Sequence, residues 1–203
     1  LKDPELTEKL IQSSDIVISL ISANLHVSLA ELCIKHGKSL VTASYISKEM
    51  EALNSSAKDA GVLLLNEIGL DPGLDHLAAM EIIDDCRSRG EAIEWFVSWC
   101  VGLPSPQSIS SDNPLRYKFS WSPRGVLLAA QNPAQYLKDG NLIEISGEDL
   151  LKNHEKVSDL HPVMMFEGIP NRDSLKYKHL YGLDHVKTMF RGTLRYKARI
   201  IFI

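Results

Sequence analysis

Cysteine is scarce: three residues in 203, Cys33, Cys86 and Cys100, odd in number and far apart. They make neither a disulfide framework nor a zinc-ligand spacing, which excludes a disulfide-stapled scaffold and points to a reducing compartment. No cluster of His, Cys and carboxylates has ligand spacing, so no metal is expected. No apolar run approaches the roughly 18 residues that cross a bilayer, and the first residues carry no signal-peptide pattern, so no membrane partner is expected. Basic runs and basic–aromatic stripes are missing and the net charge is −4, so no nucleic-acid partner is expected either. The G-x-G-x-x-G turn that cradles a dinucleotide's phosphates is absent from these residues. An initiating Met is also absent. The chain opens inside a helical pattern, LKDPELTEKLIQSSD, and closes on LRYKARIIFI, so it reads as a fragment or unusual isoform.

What is present is ordinary globular composition, 44% apolar and 24% charged, with enough chain to bury a core in one large domain or two small ones. DPELTEKLIQSSD reads as a helix with Asp3 and Pro4 at its start and Leu6, Leu10 and Ile11 on one face. DIVISLI reads as a buried strand. HVSLAELCIKHG reads as a helix stopped by Gly37, KSLVTASY as a strand, ISKEMEALNSSAKDAG as a helix stopped by Gly61, and VLLLNEIG as a third strand. Strand, helix, strand, helix, strand is the signature of βαβ units on a parallel sheet.

Beyond about residue 70 the style changes. A helix, GLDHLAAMEIIDDCRSRG, leads to a strand, AIEWFVSWCVGL, and a turn-rich loop. YKFSWSP alternates like a strand, RGVLLAAQNPAQYL looks like a helix broken at Pro133, and GNLIEISG is a strand. MMFEGIPNRDSLKYKHLYGL runs from strand through loop to helix, and HVKTMFRGTLRYKARIIFI holds one or two strands. The fold class is therefore α/β. Residues 1–70 form part of a Rossmann-type parallel sheet, and residues 71–203 form an α+β domain with several antiparallel strands.

Ligands of open parallel sheets lie beyond the carboxyl ends of the strands. Three such ends occur here: Ser22-Ala23-Asn24, Ser44-Tyr45, and Leu70-Asp71-Pro72. The last sits in NEIGLDPGLDH, which crowds carboxylates, turn formers and a histidine directly after an apolar strand. Two readings stand side by side: a strand-to-helix turn in which Asp75 caps the helix, or a ligand site.

Five ordered motifs, VTASY, GLDPGLDH, NPLRYKFSWSP, PNRDSLKY and RGTLRY, closely resemble the saccharopine dehydrogenase (saccharopine reductase) family. The likeness runs from about residue 10 to Tyr196. It is strongest to the glutamate-forming members, the dehydrogenase part of bifunctional aminoadipic semialdehyde synthase among them. KARIIFI, after Tyr196, departs from the pattern. The resemblance implies an oxidoreductase of lysine metabolism that uses NAD or NADP. It would oxidise saccharopine to glutamate and aminoadipate semialdehyde, or run the reverse, in a homo-oligomer dimerising through the substrate domain. An animal-type bifunctional enzyme would be mitochondrial, the others cytoplasmic. Alternatives are a truncated, non-catalytic dimerising fragment, or a relative acting on another imine-linked substrate such as carboxynorspermidine.

The resemblance also implies roles for residues. Asp71, Ser44, Tyr45, Arg172, Thr193, Leu194 and Arg195 would meet the substrate. Leu20, Ile21, Ala43, Ser44, Leu70 and Pro72 would meet the cofactor, with Leu20 and Ile21 serving as strand core as well. The chemistry agrees, because saccharopine carries three carboxylates and two amino groups. Guanidinium forks suit its carboxylates and a carboxylate suits an ammonium. On an alternating strand Thr193 and Arg195 face the same way. Arg191 and Arg116 read as solvated surface charges, and NPLRYKFSWSP as scaffold. Oxidation of the amine calls for a general base, and Asp71, His76, Tyr45 and Cys100 are candidates, with His76 equally readable as structural.

Overall fold

The computed structural model describes residues 3–109, 112–113, 116–120, 122–161 and 164–197. The chain divides into two compact units, Leu1–Ala78 and Ala79–Ile203.

The first unit opens with α1 (Pro4–Ser13). Asp3 caps it by accepting the Leu6 N–H at 3.0 Å, and Pro4 occupies its first turn. Then follow β1 (Ile16–Ser19), α2 (His26–Lys35), β2 (Ser39–Thr42), α3 (Lys48–Ala52), α4 (Asn54–Asp59) and β3 (Leu64–Leu65). The strands pair in the order β1-β2-β3, all parallel. One core holds them: Leu29, Ala30 and Cys33 of α2 pack with Ile11 of α1, Leu40 of β2 and Met50 of α3. Each large side chain buried there contributes about 1.5–3 kcal/mol. Leu6 and Leu10, expected beside Ile11 on the packed face, are exposed.

Three expectations change here. DIVISLI is not buried on both sides, since Ile16 and Ile18 are exposed and only Ser19 of β1 is buried. The single helix expected over ISKEMEALNSSAKDAG is two, meeting at Leu53; the following Asn54-Ser55-Ser56 run carries short polar side chains that compete for backbone hydrogen bonds. VLLLNEIG pairs as a strand only at Leu64–Leu65, because Glu67 takes a left-handed φ of 62°.

Helix α5 (Leu74–Ser88) begins in the first unit and continues in the second. The second unit then holds β4 (Trp95–Cys100), α6 (Pro123–Ala129), β5 (Ala134–Lys138), β6 (Asn141–Ile145), β7 (Glu155–Val157), β8 (Phe166–Pro170), α7 (Lys176–Leu180) and β9 (Thr188–Tyr196). Strand β9 organises the sheet. β4 pairs with it in parallel from Thr188 to Thr193. Its other edge takes β5 at Met189 and β8 antiparallel from Gly192 to Tyr196. Trp99 needs both Gly168 and Gly192, for a Cβ at either would lie 2.3 Å from the indole. The Trp99 ring meets Phe190 edge-on at 4.9 Å. Ala79 and Ile83 of α5 pack with Tyr177, Tyr181, Leu183, Val186 and Met189.

AQYL, expected in a broken helix, is strand β5. The Asp139–Gly140 turn, with φ of 49° and 83°, folds it onto β6 as a hairpin. Of YKFSWSP, expected as strand, residues 117–120 have no regular structure and residue 121 lies outside the described residues, as do residues 198–203 of the expected last strand.

Candidate active-site residues at the strand ends and on β9

Parallel pairing puts the ends of β1, β2 and β3 on one edge of the first sheet. Past β1, Leu20 is 80% exposed and Ile21 38%. Past β2 come Ala43, Ser44 and Tyr45. Past β3 the chain stays beside them: the Glu67 N–H donates to the Ser44 carbonyl (3.1 Å), the Ile68 N–H to the Thr42 carbonyl (3.0 Å), and Glu67 Oε1 accepts from the Ile46 N–H (3.1 Å). Gly69 makes the approach possible, because a Cβ there would lie 3.1 Å from both the Cβ and the carbonyl oxygen of Ala43.

Residues 69–73 then close on themselves. The Gly69 N–H donates to the Pro72 carbonyl (2.8 Å) and the Leu74 N–H to the Gly69 carbonyl (2.9 Å). The Asp71–Pro72 peptide bond is cis, and Gly73 has φ 148°. This ring of hydrogen bonds presents Asp71 to the end of β2, where Tyr45 Oη donates to Asp71 Oδ1 at 2.8 Å. Leu70, on the same loop, is 55% exposed, while Pro72 is buried. Asp75 keeps the local role open to it: its Oδ1 accepts from the Gly73 N–H (2.8 Å), and its Oδ2 lies 3.7 Å from His76 Nδ1.

Ser44 is half-buried, and its hydroxyl lies 2.9 Å from Nε2 of His26. His26 is a residue that sequence reasoning missed. It reads as an ordinary first residue of a helix, and no spacing rule ties it to Ser44, 18 positions away.

In the second unit Arg172 is exposed, with a left-handed φ of 52°. Its carbonyl accepts from the Gln135 N–H (3.0 Å), the Asn171 N–H donates to the Arg191 carbonyl (2.9 Å), and Asp173 Oδ1 accepts from the Leu175 N–H (2.8 Å) at the start of α7. The loop carrying Arg172 is thus pinned to β5, β9 and α7. On β9, Thr193 and Arg195 share a face and Leu194 is buried on the other. The Arg195 guanidinium lies 5.1 Å from the centre of the Tyr117 ring, and its Nη1 donates to the Leu194 carbonyl at 2.8 Å. Burial lowers its pKa from the usual arginine value. Cys100 is half-buried at the end of β4, paired with Thr193.

One arginine departs from its expectation. Arg191 is not a solvated charge: it is 4% exposed, and its guanidinium sits 4.2 Å over the Tyr177 ring. Arg116 is exposed. Tyr117 and Phe119 meet edge-on at 5.3 Å. Among the described residues no group of three or more His, Cys, Asp or Glu could hold a metal ion, and no helix is long and apolar enough to cross a membrane.

These residues and motifs can be set beside known proteins. Residues 2–65 match the saccharopine dehydrogenase NADP binding domain, and residues 69–201 the saccharopine dehydrogenase C-terminal domain. Mitochondrial alpha-aminoadipic semialdehyde synthase of Mus musculus is 48% identical over 191 residues, 94% of this chain and 20% of that protein. Saccharopine dehydrogenase [NADP(+), L-glutamate-forming] of Saccharomyces cerevisiae is 44% identical over 196 residues, 97% of this chain and 43% of that protein. A solved structure, the apo histidine-tagged saccharopine dehydrogenase (L-Glu forming) from Saccharomyces cerevisiae, superposes with a TM-score of 0.84 at 43% identity, covering 97% of this chain and 43% of that one. The chain thus spans between a fifth and a half of these relatives' length. Both halves of the sequence, and the solved structure, point the same way: the chain belongs to the saccharopine dehydrogenase family.

Proposed function

We propose that this chain carries part of the active site of an NADP-dependent, glutamate-forming saccharopine dehydrogenase. In this reading residues 1–70 belong to the dinucleotide-binding domain and residues 71–203 to the substrate domain. The observation that carries it is the Tyr45–Asp71 hydrogen bond, 2.8 Å long, at the carboxyl edge of a parallel sheet, where such folds bind ligands.

The residues fit the cofactor's ring end. Leu20, Ile21 and Leu70 are apolar side chains left exposed at that edge, beside the Ser44 hydroxyl, and apolar walls with a few placed polar groups are what a flat, partly polar ring requires. NADP, when bound, supplies the hydride acceptor. The chain's own residues bind, orient and move protons. Asp71 is the carboxylate for a substrate ammonium and the base we assign for the secondary amine. Tyr45 donates to its Oδ1, which fixes the direction in which the carboxylate points. Water then attacks the resulting imine to release glutamate and aminoadipate semialdehyde.

Arg172 and Arg195 are assigned to substrate carboxylates, with Thr193 and the Leu194 backbone beside them. The left-handed backbone and three hydrogen bonds around Arg172 hold its side chain's origin fixed, which supports a positioned fork over a loose surface charge. Two arginines favour the multiply carboxylated saccharopine over carboxynorspermidine. His76 is assigned a structural place beside Asp75, and Cys100 is not assigned the base. A homo-oligomer belongs to the same reading; exposed Trp95 and Val97 on β4 give an apolar face that a second copy could cover.

The test is NADPH formation followed by absorbance when saccharopine and NADP are added to the purified chain and to its Asp71→Asn variant. Saccharopine-dependent NADPH formation that fails in the variant is the expected result. Formation by the variant at the wild-type rate would remove Asp71 from the chemistry.

A further inference from the structure

Behind Ser44 lie two buried polar residues that the reaction leaves unused. Ser19, the last residue of β1, is 3% exposed, and His26, the first residue of α2, is 4% exposed. His26 Nδ1 lies 2.9 Å from Ser19 Oγ, and Nε2 lies 2.9 Å from Ser44 Oγ. Burial lowers the imidazole pKa below its ordinary value of 6.5, so the ring is neutral at neutral pH. A neutral imidazole has one N–H and one bare nitrogen. It therefore donates to one serine and accepts from the other.

Ser19 decides which. Among the described residues its hydroxyl meets His26 and no other side chain or backbone acceptor. If the ring donated to Ser19, the Ser19 proton would be buried with nothing to receive it, which biases populations by about 5- to 150-fold. Ser19 therefore donates to Nδ1, the ring proton sits on Nε2, and Nε2–H donates to Ser44 Oγ. That fills an acceptor position of Ser44 and turns its own proton away from the ring. The rest of Ser44 is engaged: its N–H donates to Thr42 Oγ1 (3.4 Å) and its carbonyl accepts from the Glu67 N–H (3.1 Å).

We propose that Ser19 and His26 are positioning residues that make Ser44 a hydrogen-bond donor to an acceptor oxygen of the ligand, a carboxamide carbonyl or a carboxylate, at the carboxyl edge of β2. The inference rests on the reading of Ser44 as a ligand-binding residue. The ligand classes differ in source: the carboxamide belongs to NADP and the carboxylate to saccharopine.

Ring-nitrogen NMR of the full chain labelled with 15N-histidine reads the tautomer directly, with His26 assigned by its loss in His26→Gln. The expected spectrum has the proton on Nε2 and a bare Nδ1. A proton on Nδ1, or on both nitrogens at neutral pH, overturns the relay.

Calorimetric titrations of NADP and of saccharopine, run separately on the wild type, Ser44→Ala, His26→Gln and His26→Leu, test its purpose. A glutamine amide can accept from Ser19 and donate to Ser44, so His26→Gln should keep affinity within about 3-fold. Ser44→Ala and His26→Leu should each weaken the same ligand by about 5- to 10-fold. Equal losses in His26→Gln and His26→Leu, both folded by thermal melt, contradict the relay. If Ser44→Ala changes neither affinity while the proton is on Nε2, the site reading fails and takes the proposal with it. If Ser44→Ala weakens binding but the proton is on Nδ1, the relay alone fails.

Discussion

Gly73→Ala should loosen the loop that presents Asp71. Gly73 has φ 148°, a region that only glycine enters freely, and holding another residue there costs about 1–3 kcal/mol. The added Cβ would also lie 2.2 Å from the Gly69 carbonyl oxygen and 2.4 Å from its nitrogen. These are backbone atoms in a hydrogen-bonded ring, not the end of a mobile side chain. Relieving such an overlap costs about a further 1–3 kcal/mol. The sum, about 2–6 kcal/mol, is a large part of an ordinary stability of about 5–15 kcal/mol and corresponds to a fall in Tm of at least about 4 °C. Gly37→Ala is the internal control: its φ is 63°, but nothing lies within 4 Å of the new Cβ, so only the backbone term of about 1–2 kcal/mol applies. Thermal melts followed by circular dichroism compare the two. Gly73→Ala should melt well below Gly37→Ala and lose saccharopine affinity with it. Equal melting temperatures would refute the reasoning that the 69–73 ring is rigid and full.

Tyr45→Phe removes the donor to Asp71, and a hydrogen bond to a charged group is worth about 1.5–3 kcal/mol; kcat/KM for saccharopine should drop about 10- to 100-fold, and an unchanged kcat/KM would separate this pair from catalysis. Stability should also depend on pH through His26. Its folded pKa is lowered from 6.5 by burial, so the unfolded chain binds the proton more readily. This contribution is complete above the unfolded value and is lost as pH falls through it toward the folded value. Urea titrations from about pH 8 down to about pH 5 should show the loss, and His26→Gln should flatten it; the same slope in both proteins would contradict it. Burial pushes the Cys33 thiol up to about 11, so a thiol reagent near neutral pH should label Cys33 only after unfolding. Native labelling of Cys33 would mean that the packing between α1, α2 and β2 opens.

Much of the first sheet is legible in the sequence because its signals are local. Gly37 and Gly61 both stand at positive φ after helices, as stop signals should, and the β-branched run Ile16-Val17-Ile18 lies in strand β1. What is not local is harder to read. Nothing in VLLLNEIG announces that Glu67 turns left-handed and ends the ladder. YKFS alternates like a strand, yet it has no partner strand among the described residues. AQYL reads as helix by composition, although the Asp139–Gly140 pair beside it is a hairpin signal that decides for strand. Arg191 looks like any surface arginine until β9 turns it under Tyr177. The candidate site divides in the same way. Asp71, Tyr45, Arg172 and Arg195 stand out through motifs. Ser19 and His26 do not, because only the fold brings the end of β1 and the start of α2 behind Ser44.

Saccharopine affinity, measured by calorimetry on the wild type, Asp71→Asn, Arg195→Lys and, as a control, Arg124→Gln at an exposed position of α6, tests the central claim most directly. Losing a charge-assisted partner is worth about 10- to 150-fold. Weaker binding of that order in Asp71→Asn and Arg195→Lys, with Arg124→Gln unchanged, is predicted. Wild-type affinity in both substituted proteins, or no saccharopine binding by the wild type, would contradict it.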